Sequence, residues 1–172
     1  LVEDLLDLSR IEQEAIQGGW KLETSSLSSV MESSRAACES LLQQQQIELQ
    51  IDCSEQLKAR INAPLLEQAI INLLTNAIKY SDSGAQVIIA ARETESHISI
   101  QVKDFGCGIE KEHHSRLFER FYRADQARSR NLGGTGLGLA IVKHVAQAHR
   151  GEVEVTSTPG QGSCFTIYLP KA

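Results

Sequence analysis

The sequence predicts an α+β fold, with helices layered on one face of a mixed or antiparallel sheet. Long stretches with helical apolar spacing accompany β-patterned stretches that run mostly in adjacent pairs joined by short turns. The regular strand–helix–strand alternation of a dinucleotide-binding domain is missing.

Each element follows from local pattern. Residues 1–16, LVEDLLDLSRIEQEAI, read as a helix because Leu1, Leu5, Leu8, Ile11 and Ala15 recur at spacings of four and three. Val2, Leu6 and Ile16 widen the stripe, and Gly18 and Gly19 end it. This face either packs on the main domain or forms half of a helical dimer interface. KLETSSL, residues 21–27, fits a short strand, and Ser26 or Ser28 can cap the helix predicted over 27–45. QQQQ, residues 43–46, fits the solvated end of that helix. In IELQIDC, residues 47–53, the side chains of Ile47, Leu49, Ile51 and Cys53 alternate onto one face of a strand. A helix is predicted from Ala63 to Tyr80. AQVIIAARE (85–93) and HISIQVKD (97–104) pattern as a hairpin. Residues 105–135 carry glycines, charges and aromatics with no sustained period, the mark of a functional or mobile connection. A helix follows from Gly136 to Arg150, with Gly151 expected as its cap. The last stretch is a hairpin that turns at TPGQGS, with Val153, Val155, Phe165, Ile167 and Leu169 on one face.

The 172 residues suffice for one domain with a short appendage, and 41% apolar residues support a packed core. The net charge of −5 argues against a nucleic-acid binder driven by phosphate neutralisation. No apolar run is long enough to span a bilayer. Cys38, Cys53, Cys107 and Cys164 form no CxxC pair and have no metal spacing with histidine, so unpaired thiols in the cytoplasm are expected. The chain begins at Leu1 without a visible signal peptide and reads as a piece of a longer protein.

Three stretches carry chemistry. NLGGTGLGLAI, residues 131–141, sets Gly133, Gly134, Gly136 and Gly138 ahead of a helix, yet fits neither GxGxxG nor the P-loop. Open backbone N–H groups beside the positive end of a helix suit a phosphate. The other reading is a flexible connection. In DFGCGI, residues 104–109, Asp104 continues the inward parity of Ile98, Ile100 and Val102, which aims a carboxylate at the apolar side. A buried carboxylate needs a donor. That donor is either a ligand amine, such as the exocyclic amine of adenine, or the N–H groups of its own turn. Gly106 and Gly108 permit close backbone approach. In NLLTNAIKY, residues 72–80, Asn72 and Asn76 lie about 40° apart around the helix and Lys79 about 20° to the other side of Asn72. Asparagine oxygens suit Mg²⁺ and an ammonium suits phosphate; the alternative is a solvated strip. Glu67 falls away from this face and reads as surface.

Together, Asn72–Tyr80, Asp104–Ile109, LFERFYRAD (117–125) and GGTGLGLAI (133–141) resemble four motifs of the histidine-kinase catalytic domain, in order and spacing. These are its asparagine box, first glycine box, phenylalanine box and second glycine box. GQGSCF (160–165) resembles the closing glycine motif. The resemblance covers about residues 20–170 and implies the ATP-binding Bergerat fold shared with gyrase, the Hsp90 chaperones and MutL. That fold is a two-layer α/β sandwich, a mixed sheet of about five strands with three main helices on one face. Residues 18–172 would be the ATP-binding domain. Residues 1–17 would be the end of the dimerisation and phosphoacceptor hairpin.

Carried over by position, Asn76 would ligate Mg²⁺, with Asn72 helping at the phosphates and Lys79 and Tyr80 on the phosphate side. Asp104 would accept from the adenine amine, with Gly106, Gly108 and Ile109 beside it. Residues 106–136 would form a mobile lid anchored by Phe118 and Phe121, from which Tyr122 and Arg123 reach the nucleotide. Gly134, Thr135, Gly136, Leu137 and Gly138 would close on the phosphates.

ATPases of this superfamily carry a glutamate one helical turn before the metal asparagine, as general base for water. Here that position is Asn72, and an amide cannot take a proton near neutral pH. The sequence therefore favours phosphoryl transfer to a supplied nucleophile over hydrolysis. The resemblance makes that nucleophile a histidine on the hairpin of the same full-length protein, a homodimer that passes the phosphoryl group to a response regulator. The acceptor string is absent, and His97, His113, His114, His144 and His149 read as structural. The expectation is a kinase domain that binds Mg·ATP without phosphorylating itself. An ATP-hydrolysing conformational machine and a binding module without catalysis are the alternatives.

Overall fold

Side-chain caps set the helix starts. Ser26 accepts the Ser29 N–H ahead of α2 (Leu27–Gln45), and Asn62 accepts the Leu65 N–H ahead of α3 (Ala63–Tyr80), which has proline in its first turn. The computed structural model describes residues 2–16, 19–124 and 133–171, without the side chains of Ala15 and Ile16. The expectations placed on Leu1, Gly18, the 125–132 part of the lid, Asn131 and Leu132 lie outside the described residues. The remaining elements are α1 (Val2–Ile16), β1 (Glu23–Ser26), β2 (Glu48–Asp52), β3 (Lys58–Ile61), β4 (Gln86–Glu93) and β5 (His97–Asp104). A 3-10 helix (Lys111–Arg116), α4 (Gly138–Ala148), β6 (Glu152–Thr158) and β7 (Gly162–Pro170) complete the chain.

The main sheet has five strands in the order β2-β4-β5-β7-β6. β2 runs parallel to β4 and every other pair is antiparallel, so the sheet is mixed, as the sequence predicts. Register pairs Ile89 with Val102, Ile100 with Ile167 and Val155 with Phe165, which stacks the inward side chains under the helices. Met31 of α2, Ile70 and Leu74 of α3 and Val142 of α4 close this core. β3 was not foreseen. Its alternation rests on only two inward residues, Ala59 and Ile61, and it is held by antiparallel pairing with β1.

The first helix packs on the main domain. Leu8 and Ile11 are buried and α1 packs on α4, whereas Val2 (69%) and Leu6 (65%) stay exposed.

The cap expected at Gly151 falls one residue earlier. Arg150 takes the left-handed conformation, φ 59°, and its N–H reaches Gln147 O while the Gly151 N–H reaches Ala146 O. Gly151 is required for space: a Cβ there would overlap the Tyr168 carbonyl. Arg150→Gly is therefore expected to stabilise by roughly 1 kcal/mol, about 2–4 °C in thermal midpoint. Gly151→Ala is expected to destabilise by at least about 1 kcal/mol, read in the same melt.

Buried His149 joins α4 to the start of α3. Its Nδ1 donates to Val145 O at 2.8 Å and its Nε2 accepts the Asn62 N–H at 3.0 Å, which fixes the neutral tautomer. Burial holds the ring below its ordinary value of 6.5, against the pull of the Val145 carbonyl. A depressed histidine contributes stability that is complete above 6.5 and is lost as pH falls toward the lowered folded-state value. The thermal midpoint is expected to drop between about pH 7.5 and about pH 5, and His149→Gln to flatten part of that slope while lowering the midpoint at pH 7.5.

Candidate nucleotide site

α3 joins the two ends of the site. At its C-terminal end, Tyr80 abuts the turn after β5: a Cβ on Gly106 would overlap the Tyr80 carbonyl. Two turns earlier, the Asn72 Nδ2 donates to Gly138 O at 3.4 Å, at the first residue of α4. Asn72, Asn76 and Tyr80 follow i, i+4, i+8, so one helix face about 12 Å long runs from the Asp104 turn to the glycine loop. Asn76 and Lys79 lie between, both half-buried. Glu67, expected on the surface, is half-buried in a cleft shared with Asp4, Asp7 and Asn72.

Asp104 is 6% exposed. Its Oδ1 accepts the Gly106 N–H at 2.9 Å and the Ser163 N–H at 3.2 Å. Burial pushes the carboxyl above its ordinary 3.8, and the two backbone bonds pull the other way. The turn that was one of the sequence's alternatives is thus present, and both bonds fall on one oxygen. Among the described residues Oδ2 receives no hydrogen bond, which suits it to a ligand amine.

The phosphate side centres on the start of α4. Among the described residues no side chain caps the helix after Leu137, so first-turn N–H groups at its positive end have no side-chain partner there. Gly136 has φ +75°, and a Cβ there would strike the Phe121 backbone, whose N–H donates to Gly136 O at 2.9 Å. Arg123 Nη2 is buried and has no hydrogen-bond partner among the described residues, and it lies 3.5 Å from where a Gly134 Cβ would stand. An orphaned guanidinium N–H beside a glycine loop fits an absent anion. The donor set also suits a nucleotide's divalent cation, since Asn76 offers a hard amide oxygen between the two ends.

Other residues depart from their expected places. Phe118 packs edge-on against Phe165, ring centroids 6.2 Å apart, as a lid anchor should. Phe121 does not: its ring is 57% exposed and only its backbone engages the glycine loop. The Tyr122 hydroxyl meets His113 Nδ1 at 2.6 Å, and the Arg116 guanidinium lies over its ring. The Leu137 side chain is fully buried, so that residue offers its backbone. The Thr135 hydroxyl bonds Asp4 of α1 at 2.9 Å. α1 also reaches α3 through Asp7–Gln68, and reaches the lid and α4 through Glu12, which pairs with Arg120 and His144.

Sequence reasoning missed Ser157 and Ser163. Ile109 N–H donates to Ser157 Oγ at 2.8 Å, and the two serine hydroxyls lie 2.8 Å apart. The signal was available in parity: Ser157 continues Val153 and Val155 inward, and Ser163 precedes Phe165 on the inward row.

A buried carboxylate, an amide-lined helix face and an uncapped helix start behind glycines define an ATP-binding domain of the Bergerat type. Residues 61–172 match the histidine kinase-, DNA gyrase B- and HSP90-like ATPase family, and the chain belongs to it. The sensor-like histidine kinase SenX3 of Mycobacterium tuberculosis is 50% identical over 124 residues, 72% of this chain and 30% of that protein. The phosphate regulon sensor protein PhoR of Pseudomonas aeruginosa is 37% identical over 100% of this chain and 38% of its own length. The solved structure of full-length ShkA in complex with AMPPNP superposes with a TM-score of 0.83 at 27% identity, covering 99% of this chain and 35% of that one. The chain thus spans under two-fifths of these relatives. Among the described residues no helix is long and apolar enough to cross a membrane.

Asp104→Asn keeps an oxygen acceptor for both backbone N–H bonds and removes a buried charge. A raised carboxyl costs stability as pH climbs through its folded-state value, so this variant is expected to melt higher than wild type at neutral pH. Its ATP affinity is expected to fall about ten-fold or more, read by calorimetric titration.

Proposed function

We propose that this chain is the ATP-binding catalytic domain of a two-component sensor histidine kinase, with residues 1–17 as the end of its dimerisation and phosphoacceptor hairpin. One observation carries the reading: a single face of α3 links the Asp104 turn to the glycine loop, with Asn76 and Lys79 between them. Asp104 Oδ2 accepts the adenine amine. Asn76 holds Mg²⁺, with Asn72 beside the phosphates. Lys79, Tyr80, Arg123 and the backbone of residues 134–138 cradle the phosphate tail. The bound Mg²⁺ supplies charge neutralisation on the phosphates.

Asn72 supports transfer over hydrolysis. It presents an amide N–H to Gly138 O and has no basic lone pair for a water proton. The γ-phosphoryl acceptor is then a histidine of the hairpin in the full-length homodimer, in its cytoplasmic portion, for onward transfer to a response regulator. The exposed Val2 and Leu6 on α1 support a hairpin partner there.

The isolated chain is expected to bind ATP more tightly with Mg²⁺ than without, and Asn76→Ala to abolish that difference in a titration. Incubated with radiolabelled ATP it should remain unlabelled, and should label an added hairpin bearing the acceptor histidine. Label on the isolated chain would sink this reading. Steady ATP turnover lost on Asn72→Ala would favour the ATP-hydrolysing machine instead.

A further inference from the structure

The β6–β7 turn grips the segment that leads into the lid. Gly160 N–H donates to Cys107 O at 2.8 Å, Ile109 N–H donates to Ser157 Oγ at 2.8 Å, and a Cβ on Gly108 would overlap Thr158 O. Gly162 approaches the Asp104 carbonyl just as closely, while the neighbouring Ser163 N–H holds Asp104 Oδ1. Most of this staple is backbone. Ser157 is the side chain at its centre.

Proton counting at Ser157 settles the direction of the network. A serine hydroxyl has one hydrogen to donate and two lone pairs. Ser157 Oγ donates to Gly162 O at 2.9 Å and accepts from Ile109 N–H. The 2.8 Å contact with Ser163 Oγ must then carry the Ser163 proton to Ser157. Asp104, Ser163 and Ser157 end the inward rows of three neighbouring strands, β5, β7 and β6. With its proton committed backward, Ser163 joins the Asp104 carboxylate as an acceptor on that row.

We propose that Ser157 is a positioning residue. It ties the fixed end of the lid to the nucleobase pocket and, by taking the Ser163 proton, leaves that pocket acceptor-only, so that it selects a 6-amino over a 6-oxo purine. This rests on the ATP reading. A 6-amino group donates to such a row; a 6-oxo group meets lone pairs with lone pairs. Removing the Ser157 hydroxyl frees the Ser163 O–H to rotate and donate to a 6-oxo group, and it removes the acceptor for Ile109 N–H.

The test compares ATP with inosine triphosphate on wild type, Ser157→Ala and Ser157→Thr, and follows amide hydrogen exchange at Ile109. Ser157→Ala is expected to lower the ATP-to-inosine-triphosphate affinity ratio about three- to ten-fold. It is also expected to speed exchange at Ile109, and Ser157→Thr to restore both. An unchanged ratio with unchanged exchange in Ser157→Ala overturns the proposal, as does an equal loss in Ser157→Thr. If Ser157→Ala fails to fold, Ser163→Ala removes the other end of the hydroxyl pair, and an unchanged ratio there overturns the proposal equally. Wild type that binds neither nucleotide, with exchange at Ile109 still dependent on the Ser157 hydroxyl, would overturn the ATP reading and the base selection while supporting the staple.

Discussion

A carboxylate sits at the end of β5, and among the described residues no cation pairs with it. The nearest basic residue in sequence, Lys103, lies on the opposite face over the Phe105 ring, 5.0 Å from its centroid. Asp104 is held by backbone N–H groups alone, one from its own turn and one from β7. Backbone donors can do this only where chain meets chain without side chains between them. That requirement explains Gly106 against Tyr80 and Gly162 against the Asp104 carbonyl. The order of the central strands follows as well, since β7 must lie beside β5 for Ser163 to reach the carboxylate.

The second constraint is a helix that is apolar and fully buried on one side and polar and half-buried on the other. α3 buries Leu66, Ile70, Leu73, Leu74 and Ile78 in the core. Its amide face cannot be paired by the sheet and turns to the glycine loop. Among the described residues, Asn72 bonds directly from this face to Gly138 O. Among the described residues the start of α4 has no side-chain cap, and a cap there would fill a position that suits an anion.

Electrostatics link the first helix to this site. The acidic face of α1 reaches the glycine loop through Asp4, α3 through Asp7, and the lid and α4 through Glu12. Such exposed or half-exposed contacts contribute little each. Buried Leu8 and Ile11 supply the adhesion, and the polar contacts set the register.

The sequence by itself determined the α+β class, the main helices and both hairpins, because each rests on local period or parity. Asp104 was legible as an inward carboxylate, and Asn72 with Asn76 as an amide face, from spacing alone. Ser157 and Ser163 obey the same parity, but hydroxyls at strand ends look ordinary until register sets them beside each other. β3 was passed over although Ala59 and Ile61 alternate inward, because two inward residues are a weak signal and the pairing partner, β1, is distant in the chain. Gly151 was read as a conformational glycine, yet it is a spatial one: the Tyr168 carbonyl excludes its Cβ, and Arg150 takes the left-handed turn. Phe121 was assigned as an anchor by the family resemblance, whereas the turn it occupies, with φ 62°, leaves the residue 57% exposed. Local pattern decides what each segment forms and which way it faces. Only the packed structure decides what each face meets, because close approach depends on chain segments that are remote in sequence.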